Sequence, residues 1–465
     1  MAGIGFELRK LARRDDLLGL VESYTHSALA SSGPWLFTIL SLGGVVMLGS
    51  RFVSPDDMSQ FRLIIIYNFA FSLVLSGPIV MVSTRFLADS IYKKDVSQAP
   101  SMLLTGYLVL FLMAMPLVLP FYLYFVQLDL GVRLIAIANF FVVAGIWQGC
   151  LFLTALKDYR NVSGSFAVGM GAALAGAMLL SPFFGLPGMI LGFTLGLLYL
   201  LSSLFGRILA EYPYAMKSIF DFRPHVRRHW ELALSGFVYN LGIWIDKWIM
   251  WAAPQHAVMP SGFVSYPDYD SAMFLAYLTI VPSMASFVLS IETDFFEKYI
   301  QYYRDIQGHA TLERIRTNHA SLIDSIVRGA RNFIVLQGTI SIVSILLAPR
   351  LFSLLNISFM QLGMFRIGIL GAFFQVLLMA MMIILSYFDQ RRIALRIQLF
   401  FLGSNALLTF ISMRAGFRFY GYGYFIACLA TFTVTFIALS RSLKSLPYQT
   451  FVLNNSSVRG QASKT

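Results

Sequence analysis

One acidic and one basic residue interrupt an otherwise uncharged segment of this sequence. Asp246 and Lys247 lie within SGFVYNLGIWIDKWIMW, well away from the ends of a predicted membrane helix. An ionisable group in the hydrocarbon region of a bilayer costs roughly 2.5–3.5 kcal/mol, so its presence there indicates a function by default. Adjacent residues on a helix point about 100° apart. We therefore expect that one helical face cannot present both groups to the same partner.

The same helix carries other residues suited to a carbohydrate. An aromatic ring such as that of Trp244 can stack on a sugar ring, and a carboxylate attracts a cationic group. The sequence therefore predicts a substrate path along Asp246, Lys247, Trp244, Tyr239 and Asn240. The alternative is structural: the charged pair lies near the periplasmic interface of the membrane, where Trp248 and Trp251 form an aromatic belt.

Two Ser-Gly-Pro motifs mark the first two apolar segments. They contain Gly33 and Pro34, and Gly77 and Pro78. Proline frees a backbone carbonyl and glycine permits a kink, which suits a bundle that opens and closes. Tight packing explains the glycines equally well. Neutral polar residues such as Tyr67, Asn68 and Asn139 either contact an uncharged sugar or hydrogen-bond between helices.

Signatures of enzymes are missing from the sequence. It has no phosphate-binding G-x-x-x-x-G-K-[ST] loop, no H-E-x-x-H motif and no G-x-S-x-G elbow. The six histidines are scattered. We therefore expect no catalytic residues, no metal site and no cofactor, and we predict that the protein is not an enzyme.

The composition places the chain in a lipid bilayer. Of its 465 residues, 57% are hydrophobic and only 12% are charged, whereas an average soluble protein is roughly 45–50% apolar and about 25% charged. The net charge of +12 is not concentrated in one patch. The basic residues recur between apolar segments instead, which indicates membrane topology rather than nucleic-acid binding.

Twelve apolar segments are long enough to cross a bilayer. They cover residues 27–49, 61–84, 102–125, 132–156, 163–183, 186–209, 230–251, 271–291, 332–348, 363–387, 393–413 and 422–440. With alternating sides assigned from the amino terminus, 27 Lys and Arg residues fall on one side and 7 on the other. This asymmetry predicts an all-α membrane protein with twelve helices and both termini in the cytoplasm.

A weak internal match at an offset of about 209 residues suggests two halves of six helices each. The predicted division is an amphipathic cytoplasmic segment 1–26, a bundle 27–209, a basic cytoplasmic hinge 210–229, a bundle 230–440 and a cytoplasmic tail 441–465.

Residues 292–331 form a highly charged cytoplasmic loop of the second bundle. Its apolar residues follow helical spacing, so we expect one or two surface helices. The loop either extends neighbouring membrane helices or docks a cytosolic partner. In the second case Arg304, Arg314 and Arg316 are the predicted contacts.

Three stretches carry a resemblance to a known family: the opening MAGIGFELRKL, the SSGPW run at 31–35, and STRFLAD from Ser83. They resemble the inner-membrane transporters of bacterial Pel exopolysaccharide systems, which are MATE-like flippases of the multidrug/oligosaccharidyl-lipid/polysaccharide superfamily. The resemblance extends over the whole chain. It implies export of a galactosamine-rich polymer across the bacterial inner membrane. It also implies two kinds of partner, a cytosolic glycosyltransferase and further membrane subunits of a synthase complex, but supplies no site residues to carry over.

Two other classes remain open. A proton- or ion-coupled antiporter for a small molecule or a lipid-linked oligosaccharide would share the fold and topology. A membrane-embedded transferase would need acidic or histidine clusters at the membrane surface, and the candidates Asp56 with Asp57, and Glu292 with Asp294, stand unaccompanied.

Overall fold

The structure is a computed structural model that describes residues 17–156, 159–216, 219–354 and 357–448. Within these ranges, nine helical segments are long and apolar enough to cross a membrane, and Gly33–Gly49 is a shorter apolar helix. The predicted all-α membrane class is therefore confirmed, while the number of twelve crossings stays a prediction. Residues 1–16 of the amphipathic segment and 449–465 of the tail lie outside the described residues.

Contacts between Cα atoms divide the chain into two compact units. Unit 1 comprises Ala28–Ser271 and Thr409–Phe417, and unit 2 includes Ala272–Leu408 and the chain from Arg418. The sequence assigned residues 230–250 to the second of two six-helix bundles, whereas this grouping places them in unit 1. The two-bundle division thus stays a prediction.

The helices up to residue 250 vary widely in length. They are α1 (Leu17–Gly49), α2 (Pro55–Tyr92), α3 (Ala99–Pro120), α4 (Leu130–Leu156), α5 (Tyr159–Glu211), the short α6 (Phe222–Arg228) and α7 (Trp230–Met250). A π-helical turn, Phe121–Phe125, follows α3. After α7, two short antiparallel strands, β1 (Ala257–Val258) and β2 (Val264–Ser265), form a hairpin.

Helix α5 is a helical hairpin rather than one rod. Its backbone leaves helical geometry at Gly185 (φ 60°, ψ −135°), a conformation that only glycine adopts readily. The predicted segments 163–183 and 186–209 lie on either side of this break. Their backbones then pack closely, because a Cβ atom on Gly176 would lie 2.6 Å from the carbonyl oxygen of Gly192.

The remaining helices begin with α8 (Pro267–Leu278), which starts in unit 1 and ends in unit 2. They continue as α9 (Val281–Ser290), α10 (Phe296–Gln307), α11 (Leu312–Leu354), α12 (Leu362–Tyr387), α13 (Arg391–Ala415) and α14 (Tyr422–Tyr448). A π-helical turn, Ile291–Phe295, joins α9 to α10. The charged stretch 292–331 is helical as expected, and α11 runs without a break from it through the predicted span 332–348.

Candidate functional site

Asp246 and Lys247 lie near the C-terminal end of α7 and pair with each other. The Nζ atom of Lys247 is 3.0 Å from Oδ1 and 3.1 Å from Oδ2 of Asp246. Both residues are buried, and Asp246 has no exposed surface. The expectation that one helical face cannot present both groups to the same partner stays a prediction, because here the two groups bond to each other. Lysine has a flexible four-carbon stem, so its ammonium group bends back across the angle between the two side chains.

The remaining hydrogen-bonding capacity of the pair is filled by its surroundings in unit 1. The hydroxyl of Tyr269 donates to Asp246 Oδ2 over 3.1 Å, and Lys247 donates to the carbonyl of Ile243 over 3.1 Å. The Nζ atom of Lys247 also lies 5.9 Å from the centroid of the Trp244 ring, within the range of a cation–π interaction. Pairing and hydrogen bonding offset the cost of burying both charges.

A second carboxylate, Asp270, lies in the first turn of α8. Its Oδ2 accepts hydrogen bonds from the indole of Trp251 over 3.0 Å and from the backbone N–H of Tyr266 over 3.4 Å. Its Oδ1 is buried and has no hydrogen-bond donor among the described residues. Sequence reasoning missed Asp270 because acidic residues are common in the first turn of any helix, where they favour the helix dipole.

Two tryptophans at the C-terminal end of α7, Trp248 and the capping Trp251, pack on α2. Trp248 stacks on Phe71 with 4.4 Å between ring centroids, and Trp251 stacks on Tyr67 at 4.8 Å. Trp251 is only 8% exposed. These contacts lie within unit 1. The interfacial belt of tryptophans stays an alternative prediction.

The other two predicted path residues lie farther from the charged pair. Tyr239 is seven positions before Asp246 on α7, which corresponds to about two helical turns, and it is half-buried. Asn240 faces α2 and donates to the carbonyl of Leu73 over 2.9 Å. Of the five predicted residues, the structure therefore brings together Asp246, Lys247 and Trp244.

Gly77 provides a close approach between two helices. A Cβ atom on Gly77 would lie 2.5 Å from the carbonyl oxygen of Gly236, a residue of α7 that sequence reasoning missed. Helices α1 and α2 continue through Pro34 and Pro78. The structure thus supports the packing explanation for Gly77, and the kinks at Gly33, Pro34, Gly77 and Pro78 stay a prediction.

Two of the neutral polar residues named above, Asn68 and Asn139, hydrogen-bond to each other. Asn68 donates to Asn139 Oδ1 over 2.8 Å and accepts from the hydroxyl of Tyr122 over 2.6 Å. Asn139 in turn donates to the hydroxyl of Thr194 over 3.0 Å. All four are buried, so this network joins α2, α4 and α5 to the π-helical turn, in keeping with the interhelical interpretation.

The three arginines of the charged stretch differ in role. Arg304 and Arg316 are exposed. Arg314, in contrast, pairs with the buried carboxylate of Asp305, and both Nε and Nη2 lie 3.2 Å from its oxygens. The side-chain amide of Asn318 also donates to Asp305. Arg314 therefore ties α11 to α10. Among the described residues, neither Arg304 nor Arg316 forms an ion pair, and both are exposed.

In the part of the chain that the structure describes, no group of three or more His, Cys, Asp or Glu residues is placed to hold a metal ion.

The fold is similar to that of several solved membrane transporters. An outward-facing multidrug-resistance MATE family transporter of the MOP superfamily matches with a TM-score of 0.62 and 14% identity, over 91% of this chain and 96% of that chain. A MATE in the bent conformation matches with a TM-score of 0.61 and 13% identity, over 96% of this chain and 99% of that chain. A MOP superfamily transporter from Pyrococcus furiosus matches with a TM-score of 0.60 and 12% identity, over 90% of this chain and 95% of that chain. The chain has this fold.

The sequence identifies the family within that class. Residues 1–451 match the model of the PelG family, described as a putative exopolysaccharide exporter (EPS-E). No curated protein sequence matches the chain. The protein therefore belongs to the PelG family and is a multi-pass membrane transporter of the exopolysaccharide exporter type, as the sequence resemblance indicated.

Proposed function

We propose that this protein moves a Pel-like polymer containing amino sugars from the cytoplasm to the periplasm, across the bacterial inner membrane. Membership of the exporter family supports the polymer. The observation that carries the site is the buried pair of Asp246 and Lys247 beside the Trp244 ring. This arrangement combines a carboxylate for a cationic sugar with an aromatic face for stacking.

The ion pair explains how a charged path is kept stable between substrates. With Lys247 folded onto it, the carboxylate of Asp246 is neutralised, and the bilayer does not face an isolated charge. A protonated amino group of the polymer replaces the ammonium group of Lys247 at Asp246. The displaced lysine remains near the ring of Trp244. The carboxylate of Asp246 therefore binds an amino group of the polymer while one is present, and it pairs with Lys247 again when the polymer has moved on.

The proposed topology has twelve crossings with both termini in the cytoplasm. The nine candidate spans support it when three further segments are counted: the short helix Gly33–Gly49, the second half of α5 after Gly185, and α7. The 27 to 7 charge asymmetry supports the orientation. This arrangement places residues 292–331 in the cytoplasm.

The proposed partners are a cytosolic glycosyltransferase and further membrane subunits of a synthase complex. The exposed arginines Arg304 and Arg316 on α10 and α11 are the proposed contacts with the glycosyltransferase, because they project free cations from helices that Arg314 and Asp305 hold together. The surrounding lipid bilayer is the third partner, and no nucleic acid is involved.

The test is complementation in a strain that lacks this protein. The wild-type chain should restore secreted polysaccharide, and the double variant Asp246→Asn/Lys247→Met should restore less of it at equal membrane abundance. The competing function is an ion-coupled antiporter for a small molecule or lipid-linked oligosaccharide. It would be favoured if purified protein alone moved such a substrate in proteoliposomes under a proton gradient and the strain still secreted polymer without it.

A further inference from the structure

The connection between α7 and α8 folds back over one end of unit 1. In the hairpin of residues 257–265, Ala257 pairs with Ser265 and Val258 with Val264. Gly262 closes the turn with φ +85°, and its N–H donates to the carbonyl of Met259 over 2.9 Å. An isolated hairpin this short is not stable in water, so contacts with the helices must hold it.

The side chain of Tyr67 holds strand β2 by two hydrogen bonds. The hydroxyl of Tyr67, on α2, donates to the carbonyl oxygen of Val264 over 2.6 Å and accepts from the N–H of the same residue over 3.2 Å. One side chain thus satisfies both backbone groups that a third strand would otherwise pair. At the turn, the N–H of Gln127 donates to the carbonyl of Ser261 over 3.0 Å.

Phe263 fills the space beneath the hairpin. It has no exposed surface, and its ring centroid lies 5.0 Å from that of Tyr67, 6.0 Å from that of Phe121 and 6.4 Å from that of Tyr122. Two of these rings belong to the π-helical turn after α3. Such turns are local distortions that occur frequently at functional sites.

The contacts between Tyr67 and the hairpin also lie close to the charged site. The ring of Tyr67 that holds Val264 stacks on Trp251, and Trp251 donates to Asp270. Tyr269, one residue before Asp270, donates to Asp246. The hairpin and the ion pair are therefore linked through a short chain of direct contacts within unit 1.

We propose that residues 257–265 form a releasable strap over the Asp246–Lys247 site. This inference rests on the proposed function and deepens it. With Tyr67 bonded to Val264 and Phe263 inserted, the strap closes the end of unit 1 that the charge pattern predicts to be periplasmic. Breaking the two Tyr67 bonds frees the hairpin and withdraws Phe263, which opens an exit for the polymer beside the charged pair.

A reversible cross-link tests the need for release. Gln127→Cys/Ser261→Cys would join the strap to the chain after α3, in a background with Cys150 and Cys428 replaced by alanine. Oxidation should reduce polysaccharide secretion to that of cells lacking the protein, and dithiothreitol should restore it. The matched control is Ser165→Cys/Ser203→Cys, whose hydroxyl oxygens lie 3.0 Å apart between the two halves of α5. Its cross-link should leave secretion unchanged.

A second measurement does not depend on export. Tyr67→Phe keeps the ring stacked on Trp251 and loses both bonds to Val264. Ser261 is 2% exposed when the strap is closed. A membrane-impermeant maleimide should therefore label a cysteine at position 261 several-fold faster in the Tyr67→Phe variant than in the protein that keeps Tyr67.

The outcomes separate the two proposals. Normal secretion by the fully cross-linked strap variant, or unchanged labelling in Tyr67→Phe, would overturn the strap. Secretion that persists in cells lacking the whole protein would overturn the proposed function instead, and the labelling result would still report on the strap.

Discussion

The backbones of Gly77 and Gly236 are in contact where α2 crosses α7. A side-chain Cβ atom at Gly77 would lie 2.5 Å from the carbonyl oxygen of Gly236, closer than real Cβ atoms come to any neighbour. The contact lets Asn240 reach the carbonyl of Leu73 one turn away. It also brings the rings of Trp248 and Trp251 onto Phe71 and Tyr67 farther along the same helices.

We predict that Gly77→Ala destabilises the protein. The added methyl group has backbone rather than a flexible side chain in its way, and overpacking of this kind costs roughly 1–3 kcal/mol. Thermal unfolding of the detergent-solubilised protein should show a lower midpoint, and membrane abundance should fall. Gly171→Ala is the matched control, because a Cβ atom there meets nothing within 4 Å. Equal stability of the two variants would contradict the close crossing.

Removing one member of the Asp246–Lys247 pair should destabilise the protein more than removing both. Asp246→Asn leaves a buried ammonium group without its partner, and breaking a buried ion pair costs about 3–5 kcal/mol. The double variant Asp246→Asn/Lys247→Met leaves no charge. We expect low membrane abundance for the single variant, and near-normal abundance for the double variant.

The double variant then isolates the transport role of the pair. At matched abundance it should secrete less polysaccharide than wild type, because the polymer loses its carboxylate. Wild-type secretion from this variant would mean that the pair only stabilises α7. A single variant as abundant as the double one would mean that the two charges are not coupled.

Variants in the charged stretch 292–331 should separate an effect on docking from an effect on folding. Arg304→Glu/Arg316→Glu changes two exposed cations and should abolish co-purification of the glycosyltransferase without changing abundance. Arg314→Glu instead places a like charge beside the buried Asp305, so the unfolding midpoint should fall. Asp305→Asn should lower the midpoint less, because the guanidinium group that it leaves unpaired is 64% exposed. If the enzyme still co-purifies with Arg304→Glu/Arg316→Glu, its docking surface lies elsewhere.

Cysteine labelling should establish the orientation in the membrane. Gln255, before the hairpin, and Gln307, at the end of α10, are both exposed and lie in regions with opposite predicted sides. A cysteine at position 255 should react with an impermeant maleimide in spheroplasts, and one at position 307 only after permeabilisation. Position 255 is preferred to the neighbouring Ser261, which the hairpin buries. The opposite labelling pattern would reverse the topology.

The sequence alone determined the class of protein, since apolar segments of bilayer length leave few other solutions for the backbone. It predicted the membrane-protein class, the family, and most helix positions, including the two segments that meet at Gly185. These features depend on composition, on local spacing and on residues that lie close together along the chain.

Tertiary structure decided which residues meet. The pairing of Asp246 with Lys247 depends on the rotamer of the lysine side chain, which the angle between adjacent helix positions does not predict. The links of Tyr67 to Val264, of Gly77 to Gly236 and of Arg314 to Asp305 join positions from different helices or loops. Periodicity reports which face of a helix is apolar, but contacts between elements depend on how those faces pack together in three dimensions.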